Sequence, residues 1–373
     1  MKRRQFLKSA SVGLAGSAVA AAPAISAPAM AAPAVVSSTP PVRWRLTSSF
    51  PKTLDTLWGA SETLARYCAE ATDGQFQIHP SQAGEIVPGL QALDAVSSGN
   101  VEMCHTASYY YYGRDPTWAL FCTVPFGLNT RQQNAWFYEG NGMKLMNGFI
   151  ERAKVIALLG GNTGAQMGGW FRREIKSVSD FNGLKMRIPG LAGRTLQKLG
   201  VVPQQLVGAD IYPALERGTI DAVEWVGPYD DEKLGFHKVA RYYYYPGWWE
   251  GAAATHFMIN LSKWNDLPKS YQAVLTTAAA LANSQMTAAY DIRNPQALRR
   301  LVGGGAQLRA FPLPVLEACQ KAANEVFAEI NASNADFKRI YDDMIAFRND
   351  QYLWWQVAEF TFDSFMIRSR SRG

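Results

Sequence analysis

Cysteine and histidine are scarce, with four of each among 373 residues. Cys68, Cys104, Cys122 and Cys319 lie far apart and include no C-x-x-C pair, which excludes a zinc ribbon or a dithiol redox centre. Spacing assigns no disulfide, and buried free thiols are the expected state. His79, His105, His237 and His256 form no H-E-x-x-H or other ligand pairing, so each is expected to be structural. No G-x-S-x-G elbow occurs. Gly160-Gly161-Asn162-Thr163-Gly164 lacks the Lys-Ser/Thr end of a phosphate loop, and Gly164-Ala165-Gln166-Met167-Gly168-Gly169 is no dinucleotide fingerprint. Charged residues make up 18% of the chain, below the usual quarter. No apolar run reaches the roughly 20 residues of a membrane span.

Apolar and aromatic side chains are plentiful, at 48% and 12%. The length suits two domains of about 100 to 200 residues each. The net charge of +6 would by itself suggest a nucleic acid or an acidic surface as partner. Its distribution argues otherwise. Lys2, Arg3, Arg4 and Lys8 account for four of the six charges and Arg368, Arg370 and Arg372 lie in the C-terminal tail, so the body of the chain is nearly neutral. No nucleic-acid partner is expected. Residues 1–31 read as an export signal: a basic start, a small-sided apolar stretch over residues 12–22, and an A-x-A site at Ala29-Met30-Ala31. Arg3-Arg4-Gln5-Phe6-Leu7-Lys8 resembles a twin-arginine signal, which implies a periplasmic protein.

Val42-Arg43-Trp44-Arg45-Leu46 alternates as a strand, residues 54–72 carry apolar side chains at helical spacing up to Asp73-Gly74, and Phe76-Gln77-Ile78 resumes as a strand. This is a βαβ unit, which predicts a largely parallel sheet. Residues 184–188, 192–199 and 201–206 repeat the pattern. Residues 95–102 and 214–221 also echo each other, each reading as a helix, a glycine stop and a strand entered through an apolar and an acidic residue. The spacing therefore predicts an α/β chain of two similar lobes. The last third reads as helices over residues 271–293, 313–330 and 337–368, the first closed by Pro295 and the last unbroken and rich in aromatics on more than one face. Such a helix is buried either by its own chain or by a second copy.

A few polar residues stand in apolar, aromatic surroundings. Arg187 sits between Met186 and Ile188 in a central strand and needs a carboxylate partner, from within the chain or from a ligand. Glu224-Trp225 follows a predicted strand, where open α/β sheets gather ligands, and Glu250 follows Pro246-Gly247-Trp248-Trp249. With Gln166 these offer oxygen ligands suited to Na+ or Ca2+ and not to zinc. The Tyr109-Tyr110-Tyr111-Tyr112 and Tyr242-Tyr243-Tyr244-Tyr245 runs alternate faces if extended, half for core and half for a cleft.

These stretches resemble the solute-binding proteins of tripartite ATP-independent periplasmic (TRAP) transporters, and within them the subgroup that binds 2-oxo acids such as pyruvate. The resemblance is carried by Trp44-Arg45-Leu46, the Tyr109–Tyr112 run, residues 160–174, Gly183-Leu184-Lys185-Met186-Arg187, residues 221–231 and residues 242–250. It implies a two-lobed clamshell periplasmic binding protein with a long C-terminal helix. Lobe I would comprise 42–162 and 246–285, lobe II 163–245 and 286–336, and residues 337–373 a dimerisation helix. It further implies that Arg187 grips the ligand carboxylate, that Tyr109 and Tyr110 contact the ligand, and that Gln166, Glu224, Trp225 and Glu250 hold a Na+ or Ca2+ ion bound with it. The implied partners are a 2-oxo monocarboxylate, the TRAP membrane subunits and a second copy of the chain. No enzymatic step is required. A 2-hydroxy acid such as lactate, or a secreted enzyme acting on such acids, are the alternatives.

Overall fold

The computed structural model describes residues 40–370, so the export signal read in residues 1–31 lies outside the described residues. Eleven strands among these residues build two sheets. They are β1 (Val42–Ser48), β2 (Phe76–Ser81), β3 (Met103–Thr106), β4 (Val155–Asn162), β5 (Gly169–Phe171), β6 (Lys185–Arg187), β7 (Val202–Gln204), β8 (Ala222–Val223), β9 (Tyr242–Tyr245), β10 (Ala254–Asn260) and β11 (Gln307–Ala310). β1 follows its alternating pattern, burying Trp44 and Leu46 while Arg43 and Arg45 stay exposed. The helix Asp55–Glu70 then buries Leu57, Trp58, Leu64 and Cys68 along one stripe.

The strand orders are β2-β1-β3-β10-β4 and β11-β9-β5-β8-β6-β7. Read from opposite ends, the two sheets share one plan. In each, a central strand (β1 or β6) has parallel neighbours on both sides, β2 and β3 or β7 and β8. Beyond these an antiparallel strand is inserted, β10 in the first sheet and β5 in the second, and it pairs in turn with β4 or β9. The echo between residues 95–102 and 214–221 leads into β3 and β8, which are equivalent strands. The expectation of largely parallel sheets fails at β5 and β10. Each is entered directly from the other sheet, without the helical crossover on its own sheet that makes neighbours parallel.

Two short segments, residues 163–168 and 246–253, carry the chain between the sheets. They are tied together by Thr163 N–H to the Ala253 carbonyl at 3.1 Å and by Gln166 N–H to the Glu250 carbonyl at 3.1 Å. Gly247 permits this approach, since a Cβ there would stand 2.4 Å from the Gln166 carbonyl oxygen.

The helix expected to stop before Pro295 runs from Lys269 to Gly303. Ala297 and Leu301 are buried beyond the proline and hold the continuation in place despite the lost hydrogen bond. It packs on the helix Asp55–Glu70, on β4 and on the helix Pro228–Leu234. The C-terminal segment is not one helix. Ala335–Trp355 and Glu359–Arg370 are separated where Val357 N–H turns to the carbonyl of Trp354, three residues back. Phe337, Ile340 and Met344 anchor the first helix, whereas the second buries no residue and cannot be held to the same axis by packing. Phe360, Phe362, Phe365 and Ile367 are each at least 64% exposed. All four cysteines are buried and unpaired. Among the described residues no helix is long and apolar enough to cross a membrane.

Candidate functional site

The two inter-sheet segments and the ends of β3, β6 and β8 converge on one buried region. Arg187 is the last residue of β6 and stands opposite Val223 of β8, which places Glu224 one step beyond the strand. Both side chains have no solvent exposure, and they form an ion pair through Arg187 Nη1 and Glu224 Oε1. Nη1 also donates to the Glu224 carbonyl at 2.7 Å, Nε donates to the Leu206 carbonyl at 3.3 Å, and the Trp225 ring lies 4.8 Å from the guanidinium.

Tyr109 and Tyr110 follow β3 in a 3-10 turn, Ser108–Tyr111, not in a strand. A turn does not send consecutive side chains to opposite faces, and here the two rings stack at 5.0 Å and both line the cavity. Tyr111 points into the core, accepting from Leu93 N–H at 3.1 Å. With Phe50, Leu57, Cys122, Thr163, Gln166, Trp225 and Val226, the two tyrosines enclose about 20 Å³ open to the centre of a water molecule. The space limits an occupant to a few atoms.

Beside this cavity, whose lining includes Gln166 but not Arg187, Glu224 or Glu250, several buried polar atoms have no partner: Arg187 Nη2, Glu224 Oε2, Glu250 Oε2 and Gln166 Oε1. An unsatisfied buried group costs about 1–3 kcal/mol, and more when charged, so this cluster is expensive unless something completes it. Burial raises the Glu224 carboxyl to about 7, against the opposing pull of Arg187. Glu250 is pushed well above the usual carboxylate range, first by burial and then by Glu224. Burial and then the Glu250 charge raise the Tyr109 phenol. The deficit is therefore positive charge beside two carboxylates and an amide oxygen. A hard cation with oxygen ligands fits that donor set, and a carboxylate oxygen fits the free edge of Arg187. Among the described residues no group of three or more His, Cys, Asp and Glu side chains could hold a metal, so a cation held here would need neutral oxygens beside the two carboxylates.

The structure thus brings Arg187, Gln166, Glu224, Trp225, Glu250, Tyr109 and Tyr110 into one place. The sequence reading missed Thr163 and Cys122 as lining residues, along with the apolar walls Phe50, Leu57 and Val226. Thr163 lies in the glycine-rich run that precedes Gln166, but nothing in that run marks it out. The apolar wall residues carried no signal either, because they look like any other core residues.

Residues 47–334 match the family described as bacterial extracellular solute-binding protein, family 7. A curated relative from Nostoc sp., a monocarboxylate 2-oxoacid-binding periplasmic protein, is 48% identical over 370 residues, covering 99% of this chain and all of its own length. Among solved structures, a TRAP transporter solute-binding protein from Bordetella bronchiseptica is 47% identical with a TM-score of 0.88, covering 90% of this chain and 99% of that one. It is a mixed-occupancy dimer with copurified calcium and picolinate in one active site and the other apo. A TRAP periplasmic solute-binding protein from Pseudoalteromonas atlantica, with bound sodium and pyruvate, is 39% identical with a TM-score of 0.85, covering 87% of this chain and 99% of that one.

Proposed function

Because the chain belongs to the bacterial extracellular solute-binding proteins of family 7, we propose that it captures a short 2-oxo monocarboxylate together with Na+ or Ca2+ in the periplasm and presents it to TRAP membrane subunits. The observation that carries this reading is the buried set of unpartnered groups: the oxygens of Gln166, Glu224 and Glu250 beside the free Nη2 of Arg187.

Each residue has a role that follows from its chemistry. Gln166, Glu224, Glu250 and the Trp225 carbonyl would hold the cation, the two carboxylates neutralising it. A bound cation would supply positive charge and coordination for two ligand oxygens, the keto oxygen and one carboxylate oxygen. Arg187 donates its free edge to the remaining carboxylate oxygen. Tyr109 and Tyr110 would contact the ligand and exclude water, which strengthens the polar contacts. A 2-oxo acid suits this arrangement and a plain carboxylate lacks the keto oxygen, while a 2-hydroxy acid such as lactate keeps an oxygen at that position and is the alternative. Nothing in it calls for a chemical step, and we read the protein as a receptor and not an enzyme.

Residues 42–162 with 246–285, and 163–245 with 286–336, would act as lobes closing on the ligand about residues 163–168 and 246–253. The exposed apolar side chains of Glu359–Arg370 suit burial against a second copy of the chain. Export by a twin-arginine signal is read from residues 3–8.

Calorimetry of pyruvate, 2-oxobutyrate, lactate and propionate against chelator-treated protein, with Na+ and with Ca2+, tests the reading. Cation-dependent binding of a 2-oxo acid, with propionate much weaker, is expected. Equal binding of propionate and pyruvate would remove keto-oxygen chelation.

A further inference from the structure

A glutamine that ligates a cation must present Oε1 and turn Nε2 away, and the structure contains the device that makes this choice. Gln166 Nε2 lies 3.1 Å from Thr163 Oγ1. A hydroxyl has one proton to give and two lone pairs. The Thr163 proton is committed to the Gly164 carbonyl at 2.9 Å, an acceptor that cannot reverse. One lone pair takes the Ala253 N–H at 3.2 Å, a donor that cannot reverse. The remaining lone pair requires a donor, so the amide must face Thr163 with Nε2 and the site with Oε1. A flipped amide would set two acceptors against each other and aim an N–H2 at the cation position.

The backbone fixes the hydroxyl. Thr163 N–H bonds the Ala253 carbonyl at 3.1 Å, so Thr163 and Ala253 clasp both inter-sheet segments at once. The neighbouring Asn162 accepts from Gly164 N–H at 3.0 Å and donates to Gln133 Oε1 at 2.8 Å, and Gln133 donates to the Cys122 carbonyl at 2.8 Å. Gln166 Oε1, buried and without a partner, is the group this network leaves pointing at the site.

We infer that Thr163 is a positioning residue for the cation site, one that polarises the Gln166 amide by spending its hydroxyl proton on Gly164. This rests on the reading of Gln166 as a cation ligand.

The test is calorimetric titration of Ca2+ into chelator-treated protein saturated with pyruvate, for the wild type, Thr163→Val, Thr163→Ser and Thr163→Val/Gln166→Glu, with circular dichroism as a fold check. Thr163→Val should weaken Ca2+ by about 10- to 100-fold, the usual effect of removing a group that orients a ligand. Thr163→Ser should bind as the wild type does. Gln166→Glu should restore affinity in the valine background, because a carboxylate presents oxygen in either orientation. Wild-type affinity in Thr163→Val, or a loss that Gln166→Glu does not repair, overturns the inference. A wild type that takes up neither Ca2+ nor Na+ fails earlier and removes the cation site itself. Should Thr163→Val not fold, side-chain hydrogen exchange decides: the Gln166 N–H2 of the cation-free wild type should show slow exchange, and fast exchange overturns the inference.

Discussion

Arg187 and Glu224 form an ion pair with no solvent exposure on either side, one at the last position of β6 and the other just past β8. The sequence left open whether the carboxylate required by Arg187 comes from the chain or from a ligand. The structure supplies one from the chain and still leaves Nη2 without a partner. The guanidinium is thus held in place by one edge before any ligand arrives, which lowers the ordering cost of binding.

Arg187→Ala should therefore act on stability as well as on binding. Removing it strands Glu224 as an uncompensated buried carboxylate, which costs about 3–5 kcal/mol. Adding Glu224→Gln to Arg187→Ala should return much of that stability without returning 2-oxo acid binding. Urea denaturation alongside calorimetry separates the two effects. Binding within a few-fold of wild type in Arg187→Ala would end its role as carboxylate clamp.

The two glutamates should differ in the unliganded protein and agree in the liganded one. Burial and Glu224 push the Glu250 carboxyl well above its ordinary range, a cost that the unfolded chain does not bear at neutral pH, so Glu250→Gln should raise the melting temperature of the unliganded protein. Glu224→Gln removes the partner of Arg187 and should destabilise by about 3–5 kcal/mol. Both should lose Ca2+ and pyruvate affinity together. Full cation affinity in either variant would remove that residue from the cation shell.

How far these features were legible depended on the range of the forces behind them. The β1–helix–β2 unit was readable because alternation at Trp44 and Leu46 and a helical stripe through Leu57, Leu64 and Cys68 are local signals. The insertion of β10 beside β3 was not, since pairing across about 150 residues is settled by which sheet each inter-sheet segment enters. The break at residues 356–358 had no proline or glycine to announce it and follows from a loss of packing. Arg187, Glu224 and Glu250 stood out because charge in apolar context is costly wherever it falls. Thr163 did not, because its role is a matter of hydrogen-bond directions.

Acid should destabilise the first sheet through His105 and His256. Burial lowers both imidazoles to about 3, and neither ring nitrogen of His256 has a partner. An unfolded histidine titrates near 6.5. Above that pH both states are neutral and the residues add no pH dependence. Below it the unfolded chain takes up protons that the folded chain refuses, so stability falls until the folded value of about 3 is reached. Between pH 7.5 and 5.0 the loss is about 2 kcal/mol per histidine. Asp231, raised to about 7 by burial, titrates in the opposite sense, so the quantity to measure is the difference between wild type and His256→Leu. Urea midpoints at the two pH values should converge in favour of the variant as pH falls. A pH-independent difference would show that folded His256 takes up a proton as readily as the unfolded residue does.

Asp55 ties the two sheets together outside the site. It opens the helix Asp55–Glu70, which packs on the first sheet, and receives Tyr229 OH at 3.0 Å, Arg293 Nη1 at 3.3 Å and the Lys233 ammonium. Tyr229 and Lys233 lie on the helix that follows β8 of the second sheet. Burial alone would raise the Asp55 carboxyl, yet the hydrogen bonds from Lys233 and Tyr229 hold it below its ordinary value. The side chain is 45% exposed, so each pair is worth at most about 1 kcal/mol and the set about 1–2. Leu57, two residues along the helix, lines the cavity, and a parting of the two sheets there to admit a ligand, as proposed above, would break these bonds. Asp55→Asn should then weaken pyruvate by about 5- to 30-fold. The change should appear mainly in the dissociation rate and shrink at high salt, where exposed ion pairs are screened. Stopped-flow tryptophan fluorescence at low and high ionic strength reads both. An unchanged dissociation rate would mean that the sheets do not part at Asp55 when the ligand leaves.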